Sequence, residues 1–303
     1  MTDGSGTTVH ELDVDTRGAR LHVTRRGSGP PVLLLHGYPQ THRMWDRVAA
    51  GLADRHEVLA PDLRGYGDSA APPGDAGHET YSKREMAADV AEVMTALGHD
   101  TYAVVGHDRG ARVGHRLTLD RPEAVTRLAV LDVAPTLHMV EHTDERFATG
   151  YYHWFFLAQE DGLPERLIGG DPGWFLRETL RRWSAPGASF EEDAVAEYVR
   201  CFTPETVHAS CEDYRAALGV DLEHDRASRG QRVECPVLVL WGEQGFVART
   251  YDVLDVWRGY ATDVRGHAVP GGHFCPEEAP GAVLDALGDF LAPDRERTGG
   301  GPA

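Results

Sequence analysis

The chain reads as an α/β fold: a mostly parallel sheet flanked by helices, with a helical cap inserted into it. Three observations predict this. Short buried apolar runs alternate with stretches of helical periodicity. The alternation breaks after Ala134 and resumes at "CPVLVLWGEQ". Between those points the chain is helical and aromatic, as in "RFATGYYHWFFLAQ" and "DAVAEYVRCF". Strands buried on both faces and separated by helical crossovers imply a parallel sheet.

The elements follow in chain order. "ELDVDTRGARLHVTRRG" is two short strands around Arg17-Gly18. "PPVLLLHGYP" is a buried strand closed by a Gly/Pro turn, and "WDRVAAGLADR" a helix. "HEVLAPDLRGYGDS" is a strand and loop. "YSKREMAADVAEVMTALG" is a helix that stops at Gly98, a suitable C-terminal cap. "TYAVVGHD" is a strand, "RGARVGHRLTLDRP" a helix, and "VTRLAVLDVAP" a strand. After the cap come the strand of "CPVLVLWGEQ", the helix "VLDVWRGYA", the strand and loop "VRGHAVPGGH", and a final helix "AVLDALGDFLA". The expected domains are 1–134 and 228–303 for the two parts of the core, and 135–227 for the cap. Disordered ends are expected at 1–8 and 295–303. The insertion leaves the sheet at the carboxyl ends of its strands, where open parallel sheets bind ligands, so it is placed to form a lid.

Composition narrows the function. The 303 residues carry a formal net charge of −18, which argues against a nucleic-acid partner. There is no apolar run of about 18 residues, so no membrane span is expected. The polar, acidic start "MTDGSGTTVHEL" has no apolar signal region, and a cytoplasmic enzyme is expected. Cys201, Cys211, Cys235 and Cys275 form no C-x-x-C or zinc-like cluster, and the 16 histidines show no H-E-x-x-H pairing. Neither a metal nor a cofactor is expected. Lys83 is the only lysine among many arginines, most of which reflect compositional bias.

The chemistry is carried by "VVGHDRGARVGHRL". G-H-D-R-G has the form of the G-x-S-x-G turn with Asp108 in place of serine. Alone, such an Asp would be a helix cap; the glycines at 106 and 110, with a strand before and a helix after, favour a nucleophile. The positive end of the helix favours an anion there. A carboxylate nucleophile displaces a leaving group from carbon and forms an ester, which water must cleave. That requires a base, an orienter and an oxyanion hole. His273, in the loop "VPGGHFCPEE", is the base. The acid is Asp132 at the end of "LAVLDVAP", with Glu243 as the alternative, because Gly245 stands where an Asp is often found after the next strand. The backbone N–H groups of Tyr38 and Arg109 form the oxyanion hole.

Together G-H-D-R-G-A-R, H-G-Y-P-Q, the His-Trp pair of "YYHWFFL", "CEDYRA" and "PGGHF" resemble the haloacetate dehalogenases, and within them the fluoroacetate dehalogenase-like members, of the α/β-hydrolase fold. The resemblance runs from about residue 8 to 292. It implies that Arg109 and Arg112 bind the substrate carboxylate and that His153, Trp154 and Tyr214 bind the leaving halide. It also implies that Trp183 lines the cap side of the pocket. Guanidinium forks match a carboxylate, and three N–H or O–H donors can solvate a departing halide. The implied partner is a small anionic substrate, and a homodimer is expected. Tyr38 departs from the more usual Phe beside the nucleophile. The alternatives are an epoxide hydrolase with the same nucleophile, for which Tyr151, Tyr152 and Tyr214 are the candidate acids, and a non-catalytic binding protein on the same fold.

Overall fold

The structure, a computed structural model, describes residues 8–292. The ends expected to be disordered fall mostly outside that range; Thr8 is within it, in a β-bridge. Eight strands form one sheet. They are β1 His10–Asp15, β2 Arg20–Gly27, β3 Pro31–Leu35, β4 Glu57–Pro61, β5 Tyr102–His107, β6 Val125–Leu131, β7 Val237–Gly242 and β8 Val264–Val269. Their order is β1-β2-β4-β3-β5-β6-β7-β8. β1 and β2 form the hairpin that Arg17-Gly18 marks, and β2 meets β4 antiparallel. All remaining pairs are parallel.

The parallel strands at the centre are apolar because both sheet faces are covered. Leu33, Leu34, Val104, Val105 and Val239 are fully buried, each contributing about 1.5–3 kcal/mol by leaving water. The covering helices of the first half are α1 Asp46–Leu52, α2 Lys83–Ala96 and α3 Asp108–Asp120. Gly98 has φ 87° just beyond α2, the left-handed geometry that stops a helix. The chain leaves β3 toward β4 on one side and toward β5 on the other, which makes the carboxyl end of β3 and β5 a topological switch point.

Between β6 and β7 lie eight helices: α4 Thr136–Glu141, α5 Glu145–Gly150, α6 Tyr152–Leu157, α7 Leu163–Ile168, α8 Pro172–Trp183, α9 Glu192–Cys201, α10 Pro204–Leu218 and α11 Val220–Ala227. After β7 come α12 Phe246–Thr250 and α13 Val253–Arg258, and after β8 come α14 Cys275–Glu278 and α15 Pro280–Leu291. The inserted helices are tied to the core by buried charge. Asp213 of α10 pairs with Arg109 of α3 and Lys83 of α2, and accepts from the Tyr66 hydroxyl at 2.8 Å. Asp221 of α11 accepts from the Lys83 backbone N–H at 2.8 Å. No described helix is long and apolar enough to cross a membrane.

Candidate active site

β5 runs into α3 through Asp108, whose φ of 46° is left-handed, a costly conformation for a residue with a side chain. The turn is possible only with glycine nearby. A Cβ on Gly110 would sit 2.3 Å from the Leu35 carbonyl oxygen, and one on Gly37 would sit 2.6 Å from the Asp108 Cβ. These contacts press β3 and its following loop against the nucleophile turn. The Tyr38 backbone N–H thereby donates to Asp108 Oδ2 at 3.0 Å. Of the two expected oxyanion donors, only this one bonds the carboxylate; the Arg109 N–H makes no such bond here.

Burial pushes the Asp108 carboxyl up, but the neighbouring His273, His107, Arg109 and Arg112 more than offset it, and it lies below the usual carboxylate range. The group is therefore held ionised.

Asp132, just past β6, also adopts a left-handed φ, 49°. That bend turns its carboxylate toward the loop after β8. Asp132 Oδ2 lies 2.6 Å from His273 Nδ1, and its Oδ1 accepts the Gly242 N–H at 3.1 Å. Glu243, the alternative acid, is exposed, and it is Asp132 that meets His273. A Cβ on Gly245 would lie 3.0 Å from Asp132 Oδ1, so the position after β7 is kept small beside the acid. Burial alone would lower the His273 pKa, but its hydrogen bond to Asp132, with the charges of Asp132 and Asp108, raises it above 6.5. With Nδ1 engaged, Nε2 is buried and unbonded.

The two arginines differ. Arg109 is fully buried and its guanidinium is largely taken by Asp213, with Nε to Oδ2 at 2.9 Å and Nη2 to Oδ1 at 2.5 Å. Only its Nη1 is left over. Arg112 has no carboxylate partner among the described residues. Its Nη1 donates to the Ala134 carbonyl at 3.0 Å and Thr136 Oγ1 at 2.9 Å, its Nη2 meets Met139 Sδ at 3.2 Å, and its Nε is unbonded. Burial and the charge of Arg109 lower its pKa. The two guanidiniums that the resemblance assigns to the substrate carboxylate are thus not alike: that of Arg109 is neutralised by Asp213 of α10, and that of Arg112 has no carboxylate partner among the described residues.

The cap closes the site with rings. His153 and Trp154 of α6, Tyr214 of α10 and Trp183 at the end of α8 meet there. His153 and Trp183 lie 4.2 Å apart, His153 and Tyr214 5.7 Å, and Trp154 and Tyr214 5.9 Å, between centroids. The Trp183 ring also stands 5.4 Å from His273. The Trp154 ring lies under the Arg112 guanidinium at 4.6 Å, and the Tyr214 ring under that of Arg109 at 4.3 Å. Burial lowers the His153 pKa to about 3, so its imidazole is neutral. Six buried polar atoms of this group have no partner: Tyr38 Oη, Arg109 Nη1, Arg112 Nε, His153 Nδ1, Tyr214 Oη and His273 Nε2. Buried polar groups are ordinarily paired. All six belong to side chains coupled electrostatically to Asp108, so unfilled hydrogen-bonding positions surround one carboxylate.

Sequence reasoning missed Asp213, which within "CEDYRA" looks like any helix charge. It also missed the role of Lys83 and the partly buried trio of Glu277 with Gln40 and Tyr198. Asp68, Glu197 and Cys201 are the one described group with metal-ligand spacing, but the Arg200 guanidinium lies 2.6 Å from both carboxylates and supplies their positive charge.

A doubly wound sheet, an inserted cap, and an acid–imidazole pair beside a glycine-flanked turn define a class of protein. The family profile for the alpha/beta hydrolase fold matches residues 30–280, and the chain belongs to that family. Within it, the chain is 42% identical over 284 residues to a fluoroacetate dehalogenase of Burkholderia sp, covering 93% of each. It is 37% identical to a soluble epoxide hydrolase of Corynebacterium sp. (strain C12), covering 92% of this chain and 96% of that one. The crystal structure of ALR0039 from Nostoc sp PCC 7120 superimposes with a TM-score of 0.93 at 54% identity, covering 94% of this chain and 98% of that one. The resemblance carried by the motifs is thus matched along nearly the whole chain.

Proposed function

We propose that the protein hydrolyses haloacetates, fluoroacetate, chloroacetate and bromoacetate among them, to glycolate and halide. The observation that carries this reading is Arg112: a buried guanidinium without a counter-carboxylate, beside an ionised Asp108. Once Asp108 is esterified, a neutral epoxide or haloalkane would leave that charge uncompensated, whereas a haloacetate brings a carboxylate of its own. Arg109 Nη1 adds a second, weaker contact.

In the proposed reaction the free Oδ1 of Asp108 attacks the halogen-bearing carbon. The carbon–halogen bond breaks as the ester bond forms, and the halide leaves toward His153, Trp154 and Tyr214, whose polar hydrogens solvate it. A water held at His273 Nε2 then gives up a proton and attacks the ester carbonyl, while Asp132 stabilises the imidazolium. The developing oxyanion is met by the N–H groups of Tyr38 and Arg109. The sum is one water consumed, and one halide, one glycolate and one proton released. No cofactor or metal enters this scheme. A cytoplasmic homodimer with no nucleic-acid or membrane partner belongs to the same proposal.

Fluoride-electrode and ion-chromatographic assays with the three haloacetates test it. Halide release with glycolate in equal amount is the expected result. No release from any of them, with styrene oxide hydrolysed instead, overturns it in favour of a neutral-epoxide hydrolase.

A further inference from the structure

Tyr38 presents a feature that its backbone role does not explain. Its side chain is 1% exposed, yet the hydroxyl has no partner. Phenylalanine would pack the same ring without leaving a polar atom stranded. The ring stands 5.6 Å from Tyr214, 6.1 Å from Trp183 and 6.2 Å from Phe202, all cap side chains. The Tyr214 hydroxyl is equally buried and unpartnered. Asp108 acts electrostatically on both phenols, and Tyr38 on Tyr214. Two unsatisfied phenols, one from the core and one from the cap, thus pack ring against ring within electrostatic reach of Asp108.

A halide leaving group needs donors but no proton. An alkoxide needs a proton. His153 is neutral and the indole N–H does not ionise, so among these groups only the phenols can supply one. Neither hydroxyl bonds the other, so both are free to donate to one ring oxygen, one giving up its proton as the ring opens and the other staying bonded to the oxygen. The pair therefore does what a single phenol does poorly.

We propose that the same site opens small α,β-epoxy carboxylates, of which oxirane-2-carboxylate (glycidate) is the simplest, with Tyr38 and Tyr214 together protonating the ring oxygen. The inference rests on the haloacetate reading for the carboxylate clamp. Arg112 takes the carboxylate. Asp108 attacks the adjacent carbon, the ring carbon–oxygen bond breaks, and the oxygen takes a phenol proton. Water activated by His273 then cleaves the ester to glycerate, and the proton it yields returns to the phenolate. Glycidate and water are the sole reactants, and no oxidant or reductant is needed.

The test incubates the full chain with glycidate, chloroacetate and styrene oxide in parallel. Glycerate is quantified by mass spectrometry, with H₂¹⁸O in a single-turnover run. Glycerate is expected, its new oxygen drawn first from Asp108, with turnover at least tenfold faster than that of styrene oxide. Tyr38→Phe is expected to lower the ratio of glycerate formation to chloride release tenfold or more. In His273→Asn, a glyceryl ester is expected on the peptide carrying Asp108. Chloride release without glycerate overturns this proposal and leaves the haloacetate reading standing. Glycerate without halide release does the reverse, and neither product overturns both. An unchanged ratio in Tyr38→Phe also overturns it, and if that variant does not fold, the ester adduct in His273→Asn decides.

Discussion

At the scale of single residues, the two arginines make opposite predictions. Arg112 has no ion-pair partner to lose among the described residues, so Arg112→Met should leave the fold intact. It should raise the KM for chloroacetate by about tenfold or more, measured by steady-state chloride release. Arg109→Met takes from Asp213 one of its two buried cations and leaves it Lys83 and the Tyr66 hydroxyl, so the loss should approach, without exceeding, the about 3–5 kcal/mol of a fully broken buried pair. Its signature is a fall in thermal midpoint, seen by calorimetry. The reverse pattern would exchange the two assignments. The reaction halves should also separate with pH. Attack needs ionised Asp108, whose pKa is lowered, so it persists into acid. Ester cleavage needs unprotonated His273, whose pKa is raised, so it slows as pH falls through that value. Esterification removes the Asp108 charge, one cause of the raised value, so the imidazole sheds its proton more readily in the intermediate than in the free protein. Rapid-quench mass spectrometry should find ester on the Asp108 peptide accumulating at about pH 5 and vanishing at about pH 9. Asp108→Asn should lower halide release by about 10³-fold or more.

At the scale of elements, the strands and core helices were legible because burial and periodicity are local properties. β3, β5 and β7 are apolar runs whatever lies beside them, and Gly106 and Gly110 announce a turn whose sterics are set within a few residues. Asp108, His273 and Asp132 could be singled out as a candidate set from where they stand relative to those strands, and the fold brings them together. What could not be read is pairing between distant helices. Asp213 meets Arg109 only because α10 folds back over α3, and nothing in either segment encodes the other. The same holds where α9 meets α14. Glu277 takes the Tyr198 hydroxyl at 3.0 Å and also meets Gln40. Burial there raises the Glu277 pKa to about 8 from 4.5. A raised carboxyl pKa means that the folded chain binds the extra proton. Stability is therefore greatest below about pH 4.5 as far as this group is concerned, and falls as pH rises toward 8. Glu277→Gln removes the ionisation and keeps an amide able to bond Tyr198 and, with a flip, Gln40 Oε1, which has no partner. Thermal melts of that variant should show a flatter decline between about pH 6 and 9 than the parent.

At the scale of the whole molecule, the net charge of −18 opposes the arrival of an anion. The attraction of Arg112 is local, whereas the repulsion is summed over the surface and screened beyond about 10 Å at 0.1 M salt. Raising salt from about 10 to 150 mM should therefore raise kcat/KM for chloroacetate, the opposite of what a cationic funnel would give. A fall would mean that the arginines dominate the long-range field.

Lys83 offers an experimental use. The chain's only lysine is shut beneath Asp213 and Asp221 of the inserted helices. An acylating reagent that modifies side-chain amines can reach it only when those helices lift. The rate at which Lys83 becomes labelled is thus a stopwatch for cap opening, read from one peptide without attaching a probe, and comparing it with turnover would tell whether the lid or the chemistry sets the pace.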